Sequence, residues 1–323
     1  MSITSNYTAG EIKGAARTLL NGDLVAFPTE TVYGLGADAT NKDAVARIYT
    51  VKGRPASHPV IVHISSVGNL DKWASDIPEY ALKLSRTFWP GPMTLVLPRT
   101  DLAKDFITGG QDNVGIRVPS HTIALALLKE FENQGGMGVA APSANRFGAV
   151  SPTTAPAVEI ELADFLSEND QILNGGPCFV GVESTIINCT QDMPSILRPG
   201  AITKEMIEAT LGITLDFNTS NSKSFEIKAA GLLESHYSPK ARIFLTGSPS
   251  PGDGFLALDS FTTPTGASRL ASPKTNEEYA QILYEAFRLA DIKGFRRVFV
   301  IPPTGDGIAV AINDRLSKSA FEK

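Results

Sequence analysis

The sequence predicts an α/β chain built as two domains, on three observations. Short apolar runs alternate with stretches of helical periodicity along the whole length. A pattern-poor tract at about 216–228, centred on Asn218-Thr219-Ser220-Asn221-Ser222, divides the chain. Beyond it, strands and helices start afresh, which implies a small parallel sheet. The expected division is 1–215, then 216–240 as linker and lid, then 241–323.

The first helix is expected over 8–22. Thr8 and Glu11 fit a capping box, Ile12, Ala15, Ala16, Leu19 and Leu20 make one apolar face, and Gly22 stops it. Leu24-Val25-Ala26 reads as a buried strand, running into Phe27-Pro28-Thr29-Glu30-Thr31-Val32-Tyr33-Gly34-Leu35-Gly36. Pro28 cannot continue a central strand. Gly34 and Gly36 are expected to turn the chain or let backbone approach a ligand. Ligands bind at the strand ends of open α/β sheets, so the crowded hydroxyls, carboxylate and phenol mark a candidate site; a solvated turn is the plainer alternative.

A helix over 41–49 feeds the loop Lys52-Gly53-Arg54-Pro55-Ala56-Ser57-His58-Pro59. Lys52 and Arg54 put two cations beside flexible backbone, suited to phosphate, although, taken alone, a solvated surface loop is the plainer explanation. The strand 60–64 follows, with His63 interrupting an apolar run, either as a satisfied core imidazole or as a ligand contact. A helix over 77–88 ends at Trp89-Pro90-Gly91-Pro92, and 93–97 is a strand. In the strand 114–119, Arg117 sits among apolar neighbours and must be paired, by a protein carboxylate or by an anionic ligand. A helix over 123–131 precedes the strand 138–141, which runs into Pro142-Ser143-Ala144-Asn145 and on to Ser151. These small residues are either a hydrogen-bonded turn or room for a bound molecule. Val182-Glu183-Ser184-Thr185 opens the strand 186–187, a further strand ends on Arg198, and 203–211 is a helix stopped by Gly212. Past the divide, His236 and Tyr237 stand between Gly231 and Pro239. Strands are expected at 241–245, 255–258 and 298–301, with helices at 275–292, capped by Thr275 and Glu278, and at 308–320. The second domain carries no polar constellation and is assigned a docking role.

Composition narrows the function class. Apolar residues make up 42% and charged residues 20%, ordinary for a folded soluble chain. A net charge of −5 argues against a broad nucleic-acid surface. Cys178 and Cys189 suit neither a disulfide framework nor a zinc site and are read as reduced core thiols, hence a cytoplasmic setting. No signal peptide or membrane-length apolar run is read. No Walker loop, Gly-x-Gly-x-x-Gly, His-Glu-x-x-His or Gly-x-Ser-x-Gly motif occurs.

What does occur, in order, is Pro-Thr-Glu-Thr-x-Tyr-Gly-Leu, Lys-Gly-Arg-Pro, Ile-Arg-Val-Pro, Pro-Ser-Ala-Asn, Glu-Ser-Thr and Arg-Pro-Gly. This set resembles the YrdC-like family. The His-Tyr-Ser-Pro segment and Asn313-Asp314-Arg315-Leu316 resemble its two-domain threonylcarbamoyl-AMP synthases. The resemblance implies an N-terminal YrdC-like twisted open sheet with helices, linked to a smaller C-terminal Rossmann-like α/β domain. It implies a nucleotidyltransferase that makes threonylcarbamoyl-AMP from L-threonine, bicarbonate and ATP, with Mg²⁺ carried by ATP and no protein metal site. The product would serve threonylcarbamoyl modification of the adenosine next to the anticodon, with tRNA and downstream modification proteins as partners. It implies Thr31, His63, Arg117, Ala141 and Ser184 around threonine, and Arg54, His58, Asn113, Ser143, Ser151, Arg198 and His236 around ATP. Lys52, Arg54 and Arg198 are the candidate catalytic cations. His58 departs from the family's usual Asn, and Ala230-Gly231-Leu232 replaces its usual Pro-Gly-Met. Two other classes fit less of the sequence: a double-stranded RNA or tRNA binding module, and carbamoyl transfer to another acceptor.

Overall fold

The structure, a computed structural model, describes residues 7–215 and 237–320. Among them, strands form two sheets, of nine and four strands. The first contains β1 (Val25–Phe27), β2 (Gly34–Asp38), β3 (Val62–His63), β4 (Met93–Pro98), β5 (Asn113–Arg117), β6 (Val139–Ala140), β7 (Gln171–Ile172), β8 (Thr185–Asn188) and β9 (Ser195–Arg198). Its order is β7-β1-β2-β6-β3-β5-β4-β8-β9. The sheet is mixed: β3 runs parallel to β5 and β4 to β8, while β1–β2 and β4–β5 are antiparallel.

The local signals explain the elements beside the site. Helix Ala9–Leu20 carries the expected capping box, with Glu11 accepting from Thr8 N at 2.7 Å and Thr8 Oγ1 from Glu11 N at 3.3 Å. Its buried face packs with Ile123, Leu127 and Phe131 of helix Thr122–Asn133. Helix Lys42–Lys52 runs three residues past its expected end and stops at Gly53 in the left-handed region, φ +61°. The turn at Gly53 swings Arg54 back toward the sheet.

Gly34 and Gly36 do not form a turn; they lie inside β2, paired with β1. A Cβ on Gly36 would come within 2.8 Å of Phe27 and of Val139, so the glycine permits three strands to approach. The 28–33 segment is therefore a wide connection between two strands. The expected strand 60–64 keeps only two residues. Val60 N bonds Ile107 O at 2.9 Å, outside the sheet, while Ile61 O accepts from Ala141 N at 3.0 Å, one residue beyond the β3–β6 ladder; both residues line the cavity. Helix Ala155–Leu162 was not expected: Ile160 is 69% exposed on an otherwise buried apolar run, which blurs the period.

The second sheet contains β10 (Arg242–Phe244), β11 (Gly254–Leu256), β12 (Ser268–Ala271) and β13 (Arg297–Val300), ordered β10-β13-β11-β12 with every pairing parallel. Helices Asn276–Ile292, capped by Thr275, and Ile308–Ala320 supply its apolar cover. Helix Lys204–Leu211 belongs to the first body, since Ile207 sits in the core of the large sheet. Val32, Val150 and Val182 of the first body share a core cluster with Tyr237, Tyr284 and Phe287, so the two bodies meet through packed apolar surface. Cys178 and Cys189 are buried and unbridged, and burial pushes both thiols up.

Candidate active site

A cavity partly open to solvent, with about 590 Å³ of empty space when its open mouth is included, lies where the β1–β2 connection meets the ends of β3, β5 and β6, the segment leading into β8, and the end of β9. Thr31, His63, Arg117, Ala141 and Ser184 all line it. So do Arg54, Ser143 and Arg198. Residues spread over 168 positions of sequence, from 31 to 198, thus share one wall system.

Arg117 answers the pairing question raised by its apolar strand. Its Nη2 donates to Glu30 Oε1 at 2.6 Å, Nη1 to Thr31 Oγ1 at 2.9 Å and Nε to Gly91 O at 3.3 Å. Glu30, fully buried, also accepts from Ser120 N at 3.0 Å. Thr31 shares a 2.8 Å contact with Thr29 Oγ1, and Ser184 one of 2.8 Å with Thr94 Oγ1. Arg198 donates from Nε and Nη2 to Ser184 O at 3.1 and 2.9 Å, and from Nη2 to Ser184 Oγ at 3.2 Å. Arg54 donates to Pro59 O at 2.8 Å, and its buried Nε has no partner among the described residues. A neutral carbonyl does not cancel the Arg54 charge, so the wall stays cationic there.

His63 is buried and its Nδ1 is likewise without a partner among the described residues. Burial, reinforced by the nearby Arg117 charge, pushes its pKa down to about 3, which keeps the ring neutral. Glu183 also lines the cavity. Burial alone would raise its pKa, but the charges of Arg315 and Arg198 and the Ser151 hydrogen bond outweigh that and hold it at about 2.

Four expected contacts lie elsewhere. Lys52 was expected in the cationic wall; instead its ammonium is buried and donates to Ser143 O at 2.6 Å and Asn145 O at 2.5 Å. It fastens the Ser143–Asn145 turn rather than facing the cavity, and burial lowers its pKa well below the usual lysine range. Ser151 is buried and donates to Glu183 Oε1 at 2.6 Å, behind the cavity wall. His58 packs edge-on to Phe147, 5.4 Å between ring centroids. Asn113 lines a second cavity, which shares Val60 and Ile61 with the first. His236 lies outside the described residues, as does most of the expected 216–240 segment; Tyr237 is described and lines the main cavity.

Sequence reasoning did not pair Glu30 with Arg117 or Glu183 with Arg315. Glu30 had a usable signal, because a lone Arg in an apolar strand needs a carboxylate. The Glu183–Arg315 contact had none, since 132 residues separate the partners.

The family model described as "Telomere recombination" matches residues 17–200, and the one described as "Threonylcarbamoyl-AMP synthase, C-terminal domain" matches residues 202–321. The chain is 39% identical over 329 residues to the threonylcarbamoyl-AMP synthase of Bacillus subtilis, covering 96% of this chain and 93% of the relative. It is 45% identical over 326 residues to that of Pyrococcus abyssi, covering 96% and 94%. The crystal structure of P. abyssi Sua5 complexed with L-threonine matches with a TM-score of 0.86 at 36% identity, over 98% of this chain and 95% of that one. E. coli YciO, at 23% identity and a TM-score of 0.52, covers 61% of this chain and shares the fold alone. This chain belongs to the threonylcarbamoyl-AMP synthase family and carries both of its domains.

Proposed function

We propose that the chain makes threonylcarbamoyl-AMP from L-threonine, bicarbonate and ATP, releasing pyrophosphate. The observation that carries this reading is one cavity that joins an Arg117–Thr31–Ser184 polar set to the Arg54 and Arg198 guanidinium groups. Membership of the family and the likeness to a threonine-bound relative support it.

In this reading threonine lies against Thr31, His63, Arg117, Ala141 and Ser184, with Ala141 leaving room for its methyl group. ATP lies against Arg54, Ser143 and Arg198 and extends toward Asn113 through the adjoining cavity; Ser151 acts from behind, through Glu183, and His58 from the loop. The threonine amine attacks bicarbonate, a C–N bond forms and water leaves, giving a carbamate. A carbamate oxygen then attacks the α-phosphorus, forming a P–O bond while the bond to the β-phosphate oxygen breaks and pyrophosphate departs. Negative charge grows on phosphate oxygens in that step, and preorganised guanidinium groups lower its barrier. No carboxylate, imidazole or phenol of the wall with a shifted pKa suits a general base at neutral pH: His63 is pushed to about 3 and Glu183 held at about 2, while burial raises the Tyr33 and Tyr237 phenols, the latter to about 12. Orientation and electrostatics therefore carry the rate. Mg²⁺ is assigned to the nucleotide, whose phosphate oxygens are ligands that this hard cation prefers.

The same reading gives the reaction to residues 1–215, a connecting role to 216–240 and docking to 241–323. It hands the product to tRNA modification in the cytoplasm; no described helix is long and apolar enough to cross a membrane. The test is pyrophosphate release with each substrate withheld in turn. The reading requires release to depend on both threonine and bicarbonate; release with ATP alone would overturn it.

A further inference from the structure

The contact between the two bodies reaches the cavity wall itself. Arg315, on the last helix, has no exposed surface. Its Nε donates to Glu183 Oε2 at 2.8 Å, its Nη2 to Pro199 O at 3.1 Å, and its Nη1 pairs with Asp314. Its guanidinium carbon also lies 5.2 Å from the centroid of the Tyr237 ring. Glu183 is further held by Tyr284 Oη at 2.9 and 3.2 Å. Tyr284 stacks on Tyr237 with centroids 5.8 Å apart, and Ser319 Oγ donates to Tyr237 O at 3.0 Å.

These partners are the chain neighbours of two wall residues. Glu183 precedes Ser184, and Pro199 follows Arg198. Arg198 in turn reaches back to the Ser184 carbonyl and hydroxyl. The contacts therefore close a ring: Arg315 to Glu183, along the chain to Ser184, across to Arg198, along the chain to Pro199, and back to Arg315. The backbones inside the ring are tightly apposed. A Cβ on Gly200 would meet Thr185 N at 2.4 Å and Glu183 O at 2.8 Å. A docking salt bridge needs only one carboxylate. This guanidinium uses its planar fork to fix two wall segments and an aromatic ring at once, a geometry that a lysine cannot copy.

We propose that Arg315 is a positioning residue for the active site: the second domain, through this one side chain, sets the placement of Ser184 against Arg198 and of the Tyr237 ring beside them. The proposal rests on the threonine and ATP assignments above. It makes the second domain part of the site's construction rather than a passive anchor.

The test uses the full chain and three variants: Arg315→Lys, Tyr284→Phe, and Glu285→Gln as an interface control, since Glu285 contacts Thr153 and Thr154 and not the ring. Two quantities are measured: KM for threonine in pyrophosphate release, and amide exchange in 182–186 and 196–200. Losing a hydrogen bond to a charged group predicts a KM rise of about tenfold in Arg315→Lys and a smaller rise, about threefold, in Tyr284→Phe. Both variants should exchange faster at 182–186, and Arg315→Lys also at 196–200, while Glu285→Gln matches the wild type. A merely structural role would lower the folded fraction, and so the apparent kcat, without moving KM. KM unchanged in the folded variants, or raised equally in Glu285→Gln, overturns the proposal. Should Arg315→Lys not fold, Tyr284→Phe decides alone by the same criteria. Should the wild type release no pyrophosphate, the functional reading fails, and exchange alone then decides the positioning role: unchanged exchange at 182–186 overturns it.

Discussion

Replacing Glu30 by Gln removes the charge facing Arg117 and leaves the shape almost intact. Glu30 is fully buried and Arg117 is 4% exposed, so water reaches neither readily. The wild-type carboxylate accepts from two donors, Arg117 Nη2 at 2.6 Å and Ser120 N at 3.0 Å. A carboxamide offers one acceptor and one donor, so one of these contacts becomes donor against donor. Breaking a buried pair by removing one charge costs about 3–5 kcal/mol. Arg117 keeps the Thr31 hydroxyl and the Gly91 carbonyl, which places the loss near the lower end, about 3 kcal/mol. For a body of this size that is a fall in Tm of roughly 6–12 °C, read by scanning calorimetry. Threonine should raise the Tm of Glu30→Gln at least as much as that of the wild type, because its carboxylate can face the arginine that lost its partner. A fall below about 2 °C would mean that the pair contributes little and that the Arg117 pairing argument is wrong.

Three further outcomes follow from the wall geometry. His63 is held neutral by burial, with its pKa lowered to about 3 from an unfolded value near 6.5. The unfolded chain therefore binds the extra proton first: stability is intact above about pH 6.5 and falls toward pH 3, by at most roughly 1.4 kcal/mol per pH unit for this group. His121, also lowered by burial, contributes in the same direction. Between pH 6.5 and 5 the stability of His63→Asn should consequently depend less on pH than that of the wild type, and parallel curves would refute the assignment. Arg54→Ala should lower kcat by about 10²–10³-fold, the loss expected for one charge-stabilising donor; near-normal turnover would put the triphosphate elsewhere. Threonine and serine should support pyrophosphate release better than valine, since Thr31, Ser184 and His63 offer hydrogen bonds to a hydroxyl; equal rates with valine would refute that pocket assignment.

Much of the fold was legible because its signals are local. The caps at Thr8 and Thr275, the glycine stop at Gly212, and the alternation after residue 240 are each read within one or two turns of chain. The parallel sheet of the second body followed from that alternation. What escaped depends on distant chain. Gly34 and Gly36 read as a turn or a close approach to a ligand; Gly34 lines the cavity, but Phe27 and Val139 crowd Gly36 inside a strand. Val60 reads as strand, but its N–H bonds Ile107 O, outside the sheet. Lys52 shows the same limit in the site. Its charge and loop position suggest a phosphate contact, while only the fold reveals two backbone carbonyls within reach of its ammonium. Arg117 lies at the other extreme: its apolar neighbours announce a buried charge, and the partner waits in the motif already singled out at residue 30.

The most direct measurement follows labelled carbon. Incubate the full chain with ATP, Mg²⁺, L-threonine and ¹³C-bicarbonate, then identify the nucleotide product by mass. The reading developed here predicts an adenylate that carries threonine and one ¹³C, formed in step with pyrophosphate and absent when threonine is withheld. An adenylate of threonine lacking the label, or pyrophosphate formed with no threonine-containing product, would contradict it.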